Sequence, residues 1–184
     1  MRLPSSTYRV QLPADFDLDA AAGIVDHIAE LGADWIYLSP LLTAEPGSNH
    51  GYDVIDHDAV DPARGGRAAF ARLVDAARSR GLGVLVDIVP NHVGVATPAI
   101  SRWWWDVLRD GVDSAHAAAF DIDWEAGGGR VRIPVLGDEA CPELRVEDGE
   151  LRYFDHRFPI APGTADDGAA PPATGRSRRG RTRG

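Results

Sequence analysis

Five side chains in two short stretches have the types and spacing of a site for a neutral polyol. Asp87, Asn91 and His92 stand in DIVPNH, and His50 and Tyr52 stand in HGYD. A sugar offers a ring face of C–H groups, which an aromatic ring such as Tyr52 can cover. It also offers hydroxyls, which carboxylate, amide and imidazole groups can hydrogen-bond. The same groups admit two other readings. Asp87, Asn91 and His92 could ligate a metal, although they mix hard and borderline donors and lack a second carboxylate nearby. Asp87 could also be structural, capping a loop or pairing with a distant Arg. Two chemistries are excluded outright. There is no G-x-S-x-G elbow for a Ser-His-Asp hydrolase. All 19 basic residues are Arg, so neither a Schiff-base lysine nor a phosphate-binding P-loop lysine exists.

These residues need strands to present them. GLGVLVDIVPNH, residues 81–92, opens on a glycine pair and continues as an aliphatic run that Pro90 ends. Alternation puts Leu85, Asp87 and Val89 on one face, and Val84, Val86 and Ile88 on the other, suited to packing under helices. Upstream, TYRVQL (7–12) reads as a first strand and DWIYLSP (34–40) as a second. Between them Leu18, Ala21, Ala22, Val25, Ile28, Ala29 and Leu31 recur at helical spacing. Asp15 or Asp17 offers the N-cap of that single helix, and Gly32 its terminating glycine. Phe70, Leu73, Val74 and Ala77 mark a second helix, with Arg72 and Asp75 able to pair on its outer side. The pattern is that of a parallel α/β sheet, whose C-terminal strand ends bind ligands. The segment 41–65 reads as one long functional loop holding His50, Tyr52, Asp53 and Asp56.

After His92 the character changes. WWWDVLRDG (103–111) predicts a short helix. FDIDW (120–124), RVRIPVLG (130–137) and LRYFDHRFPI (151–160) predict short antiparallel strands. From about Ala165 the chain has no periodicity and carries five Arg against two Asp, the composition of a disordered tail. The formal charge of −9 argues against a nucleic-acid partner. Cys141 stands alone, so neither an intrachain disulfide nor a cysteine zinc site is possible. No apolar run approaches membrane-spanning length and the N-terminus lacks a signal core, so a cytoplasmic protein without a membrane partner is expected.

DIVPNH, preceded by GLGVLV, and HGYD at 50–53 resemble signature regions of the α-amylase superfamily of glycoside hydrolases. More narrowly, six ordered blocks resemble the maltooligosyl trehalose synthases of that superfamily: TYRVQL, YLSPLLTAEPGSNHGYDVID, DIVPNHVGV, WWWDVLRDG, FDIDW and YFDHRFPIAPGT. The resemblance implies the N-terminal part of a (β/α)8 TIM barrel over 1–95, with its first three strands and two helices. It implies the start of a small β-rich inserted domain over 96–164, leaving 165–184 as an Arg-rich tail with the composition of out-of-frame reading. It implies a retaining intramolecular transglucosylation, an isomerase reaction, that turns the terminal α-1,4 bond of a maltooligosaccharide into α-1,1, with no metal or cofactor. An α-amylase-type hydrolase and a non-catalytic glucan-binding module are the alternatives.

By the same resemblance, Tyr52 stacks on the sugar ring, His92 bonds its 6-hydroxyl, Asp87 buttresses the site through a downstream Arg, and Asn91 fixes the loop. His50 matches the family block without a defined role. The superfamily's nucleophile and general acid follow the fourth and fifth strands. A full barrel takes about 250 residues, so a truncated or frameshifted, inactive fragment is expected. Its third strand should present an unpaired apolar edge.

Overall fold

The computed structural model describes residues 3–135 and 144–164. It divides into two compact units, Met1–Arg102 and Trp103–Gly184. Cys141, the tail from Ala165 and the end of the stretch expected as a strand over 130–137 lie outside the described residues.

In the first unit β1 (Thr7–Val10) leads through α1 (Leu18–Gly23) and α2 (Val25–Glu30) to β2 (Trp35–Leu38). Asp17 caps α1, accepting from the backbone N–H of Asp19 and Ala20. The single helix expected over 18–31 is thus two. Gly23 ends the first, and Ile24 sits between them at φ −104°, ψ 5°. A glycine without a Cβ holds the helical backbone too weakly to carry the turn through. The expected loop 41–65 is also corrected. It contains β3 (Leu42–Ala44) and β4 (Val54–Val60), paired as an irregular antiparallel hairpin, and then a 3-10 turn, Pro62–Arg64. Then α3 (Gly66–Ser79) leads to β5 (Gly83–Val86).

The strands β1, β2 and β5 form one parallel sheet in the order β1-β2-β5. Val10, Ile36, Leu38, Val84 and Val86 pack from it against Leu18, Ala21, Val25, Ile28, Ala69, Leu73 and Ala77 of the helices. On α3 the fully buried stripe is Ala69, Leu73 and Ala77, with Phe70 packed beside it. Arg72 does not pair with Asp75. It forms two 2.7 Å bonds to Asp19 on α1, because α1 lies against α3 along that side. The third strand is shorter than the sequence predicts. It ends at Val86, so alternation does not carry Ile88 under the helices, and Ile88 is 68% exposed. β5 forms one edge of the sheet, where Leu85 is 39% exposed, and β1 forms the other.

The helix α4 (Arg102–Asp110), as WWWDVLRDG predicts, falls in the second unit from Trp103 on, with Trp104 and Val107 buried. Trp103 stacks on His116 at 5.2 Å, and Trp104 packs against Phe120. The strand expected at 120–124 is absent, and 131–135 is likewise irregular. The N–H groups of Ile122 and Trp124 bond two residues back, to Phe120 and Ile122, as does that of Val135 to Ile133. Such three-residue turns use the donors that a strand ladder needs. The stretch expected over 151–160 is a hairpin, β7 (Glu150–Tyr153) with β8 (His156–Pro159), and it pairs with β6 (Arg145–Glu147), which lies outside the expected strands, in a three-stranded antiparallel sheet. No helix among the described residues is long and apolar enough to cross a membrane.

Candidate functional site

Register in the parallel sheet decides which side chains can meet. Arg9 stands opposite Tyr37, and Tyr37 opposite Leu85. Two residues beyond Leu85 on the same side comes Asp87, just past the end of β5. The Arg9 guanidinium lies 4.5 Å over the Tyr37 ring, a cation–π contact that keeps the long side chain directed across β2. Its Nη1 then donates to Asp87 Oδ2 at 3.3 Å, and its Nη2 to the Tyr52 hydroxyl at 2.8 Å. The Tyr52 hydroxyl in turn donates to the same Asp87 oxygen at 2.5 Å.

This closed triangle shifts both acids. The bond from the Tyr52 hydroxyl is the largest influence holding Asp87 below its usual carboxylate value; partial burial opposes it, and the Tyr37 hydroxyl and Arg9 assist. The reciprocal effect raises the Tyr52 phenol, because ionising it would set two anions on one hydrogen bond. Asp87 is therefore an anion whose Oδ2 is engaged twice, and Tyr52 is a neutral donor.

The remaining predicted residues gather around Tyr52. The Tyr52 carbonyl accepts from His92 Nε2 at 2.9 Å, and His92 Nδ1 lies 3.1 Å from Asn91 Oδ1. The Tyr52 N–H donates to His50 Nδ1 at 3.0 Å. Tyr52, Asp87, His92, Asn91 and His50 thus form one connected group at the C-terminal end of the sheet. The loop after β5 is tied down from below, where the Gly94 N–H donates to the Val54 carbonyl at 2.7 Å. A Cβ on Gly94 would come within 2.7 Å of the Asp53 carbonyl, so only glycine allows that approach. Among the described residues, no three His, Cys, Asp or Glu side chains converge as metal ligands would.

Among the described residues Asp87 pairs with an Arg that the side-chain types did not single out, Arg9, upstream on β1. The signal for it was present: Arg9 is a charged residue in the middle of a strand-like run, on the face that also carries Tyr37. Ser48 and Arg64, which hold the Tyr52 loop from behind, are two further residues that side-chain types alone did not single out.

Residues 13–106 match the family model described as alpha amylase, catalytic domain. The chain belongs to the alpha-amylase family. Within that family it is 50% identical over 167 residues to a putative maltooligosyl trehalose synthase of Mycobacterium tuberculosis, an alignment covering 88% of this chain and 22% of that protein. The solved maltooligosyltrehalose synthase of Arthrobacter ramosus is 60% identical and superposes with a TM-score of 0.87, over 91% of this chain and 22% of that one. A malto-oligosyltrehalose trehalohydrolase of Rhizobium sp. is 39% identical over 155 residues, 73% of this chain and 26% of that protein. The chain therefore spans about a fifth to a quarter of the length of these family members.

Proposed function

We propose that this alpha-amylase family chain supplies the sugar-gripping part of a maltooligosyl trehalose synthase, and that the protein rearranges the terminal α-1,4 bond of a maltooligosaccharide to α-1,1. The observation that carries the reading is the Arg9–Tyr52–Asp87 triangle at the C-terminal end of a parallel sheet, with His92 bonded to the Tyr52 backbone. On this reading β1, β2 and β5 are the first three strands of a (β/α)8 barrel. Residues 1–95 belong to the barrel, 96–164 to a β-rich insertion, and 165–184 to a tail outside both.

The roles follow from the bonds. Tyr52 presents its ring face to a glucose unit while its hydroxyl is fixed at the edge by Arg9 and Asp87. Asp87 aligns the other two and does not attack. With Nε2 on the Tyr52 carbonyl, His92 offers Nδ1 to a ring hydroxyl in place of the Asn91 amide. Asn91 holds that imidazole in position beforehand, and His50 steadies the Tyr52 backbone. A retaining mechanism needs a nucleophile and an acid roughly 5–5.5 Å apart. Asp87, lowered and engaged, suits neither role. Asp53, the other carboxylate beside Tyr52, accepts from the Ser48 hydroxyl and lies 3.7 Å from His50 Nδ1. With both acids so engaged, the 184-residue chain alone binds glucan without turning it over.

Calorimetric titration with maltopentaose, together with product analysis, tests this. The expected result is saturable binding that Tyr52→Ala abolishes, with neither an α-1,1 product nor new reducing ends above a protein-free control. Absence of binding would overturn the glucan reading. An α-1,1 product lost in Asp87→Asn would overturn the assignment of Asp87 as a buttress.

A further inference from the structure

The hydroxyl of Tyr52 is fixed from the front by Arg9 and Asp87. Its backbone is fixed from behind by a residue that touches nothing in the site. Arg64, at the end of the Pro62–Arg64 turn, is 2% exposed. Its Nε donates to the Leu12 carbonyl at 2.9 Å, its Nη2 to the Ser48 carbonyl at 3.0 Å, and its Nη1 to the Asp61 carboxylate. Ser48 is the link to the site. Its Oγ accepts from the Gly51 N–H at 3.0 Å and donates to the Asp53 carboxylate. Gly51 and Asp53 are the two chain neighbours of Tyr52. Gly51 stands at φ +79°, and a Cβ there would meet the Pro40 carbonyl at 2.6 Å and Arg64 Nη2 at 3.2 Å. The turn therefore lies directly against the guanidinium, with no side chain between.

A buried ion pair is poor support for stability, since well-packed apolar residues often serve as well. What an apolar residue cannot do is offer five donors in a fixed planar fork and join three chain segments at once. Here the three are the chain just after β1, the Asp61 turn and the loop bearing Tyr52.

We infer that Arg64 is a positioning residue of the sugar site, which sets the place of the Tyr52 ring through the carbonyl and hydroxyl of Ser48. The inference rests on the reading of Tyr52 as the ring platform. Its geometric core, that Arg64 and Ser48 aim Tyr52 at Asp87, can be tested apart from any sugar.

The test uses the 184-residue chain with Ser48→Ala and Arg64→Lys. A lysine keeps the charge beside Asp61 but cannot also span the Leu12 and Ser48 carbonyls. If Arg64 only neutralised Asp61, Arg64→Lys would restore everything. Three readouts separate the cases: circular dichroism and the urea midpoint for the fold, the alkaline ultraviolet titration of Tyr52 (assigned by difference from Tyr52→Phe), and maltopentaose affinity. Both variants should keep the fold. In both, Tyr52 should ionise closer to the ordinary tyrosine value, because its hydroxyl no longer rests on Asp87. Affinity should fall roughly tenfold, the equivalent of one hydrogen bond. Should Arg64→Lys unfold, Ser48→Ala decides alone, since it removes one hydroxyl and leaves the buried pair intact. An unchanged Tyr52 titration in a folded Ser48→Ala variant would overturn the inference. A wild-type chain that binds no maltopentaose, with the Tyr52 titration displaced in both variants, would overturn the glucan reading and leave the positioning role standing.

Discussion

Replacing Arg64 by Met should cause a large loss of stability from a single side chain. Methionine has a similar stem length and no charge, so packing is roughly kept and the ion pair is lost. Asp61 is 6% exposed and would hold its negative charge in the interior without a cation. It would retain only the N–H donors of Ala63 at 2.9 Å and Ala44 at 3.4 Å. Breaking a buried pair from one side costs about 3–5 kcal/mol. A domain of this size has a total stability of about 5–15 kcal/mol. With a urea slope of about 2 kcal/mol per molar, the midpoint should fall by roughly 2 M. Arg72→Met is the control, because Arg72 and Asp19 also pair closely but have side chains 58% and 49% exposed. Exposed pairs contribute little, so its midpoint should stay at the wild-type value. The double variant Asp61→Asn with Arg64→Met should recover part of the loss by removing the stranded charge. Urea unfolding followed by circular dichroism measures all three. If Arg64→Met unfolds at the same midpoint as Arg72→Met, the buried pair has been misjudged.

Two further outcomes can be checked in the same chain. Gly51→Ala should destabilise more than Gly47→Ala, by urea midpoint: both sit at positive φ, +79° and +82°, but only at Gly51 would the new Cβ also meet backbone. Asp34 is held near pH 2, against its usual 3.8, first by the Ser5 N–H and then by the Ser6 N–H. A lowered carboxylate stabilises the fold above its unfolded value and loses that contribution as pH falls through the folded one; the Ser5 and Ser6 amide resonances should therefore titrate with a midpoint near 2 and not near 3.8.

The sheet was legible because its strands are short aliphatic runs separated by helical spacing, and periodicity carries that information. The hairpin β3–β4 was not. Its longer strand reads VIDHDAV, with Asp56, His57 and Asp58 in succession, so no apolar alternation marks it. It forms because its backbone pairs with β3 and its ends are anchored, Val54 and Asp61 both being buried. The hinge at Gly23 and Ile24 was hidden for the opposite reason. The apolar spacing runs through it unbroken, while the break is a backbone property that spacing does not report. In the second unit, the aromatic and aliphatic residues of 120–124 resemble a strand by composition, yet their N–H groups close local turns.

Of the site, the groups were legible and the geometry was not. Tyr52, Asp87 and His92 declare themselves by type. Arg9 lies 78 residues from Asp87 in sequence and two strands away in the sheet. Adjacent strands stand about 4.8 Å apart, so the Arg must reach across nearly 10 Å. That distance explains the residue types on all three strands. Only a long cation spans it, which favours Arg on β1. An aromatic at the β2 position beneath holds the guanidinium over its ring face, and Tyr37 does so at 4.5 Å. An acid on β5 must stand beyond the last ladder pair to be free to turn inward, and Asp87 is the first residue past Val86. Tyr52, arriving from the hairpin, then bonds both ends of the bridge at once. The ring that would face a sugar is therefore aimed by the spacing of the sheet itself. A change of register at any of the three strands would misplace it, even with every side chain of the site unchanged.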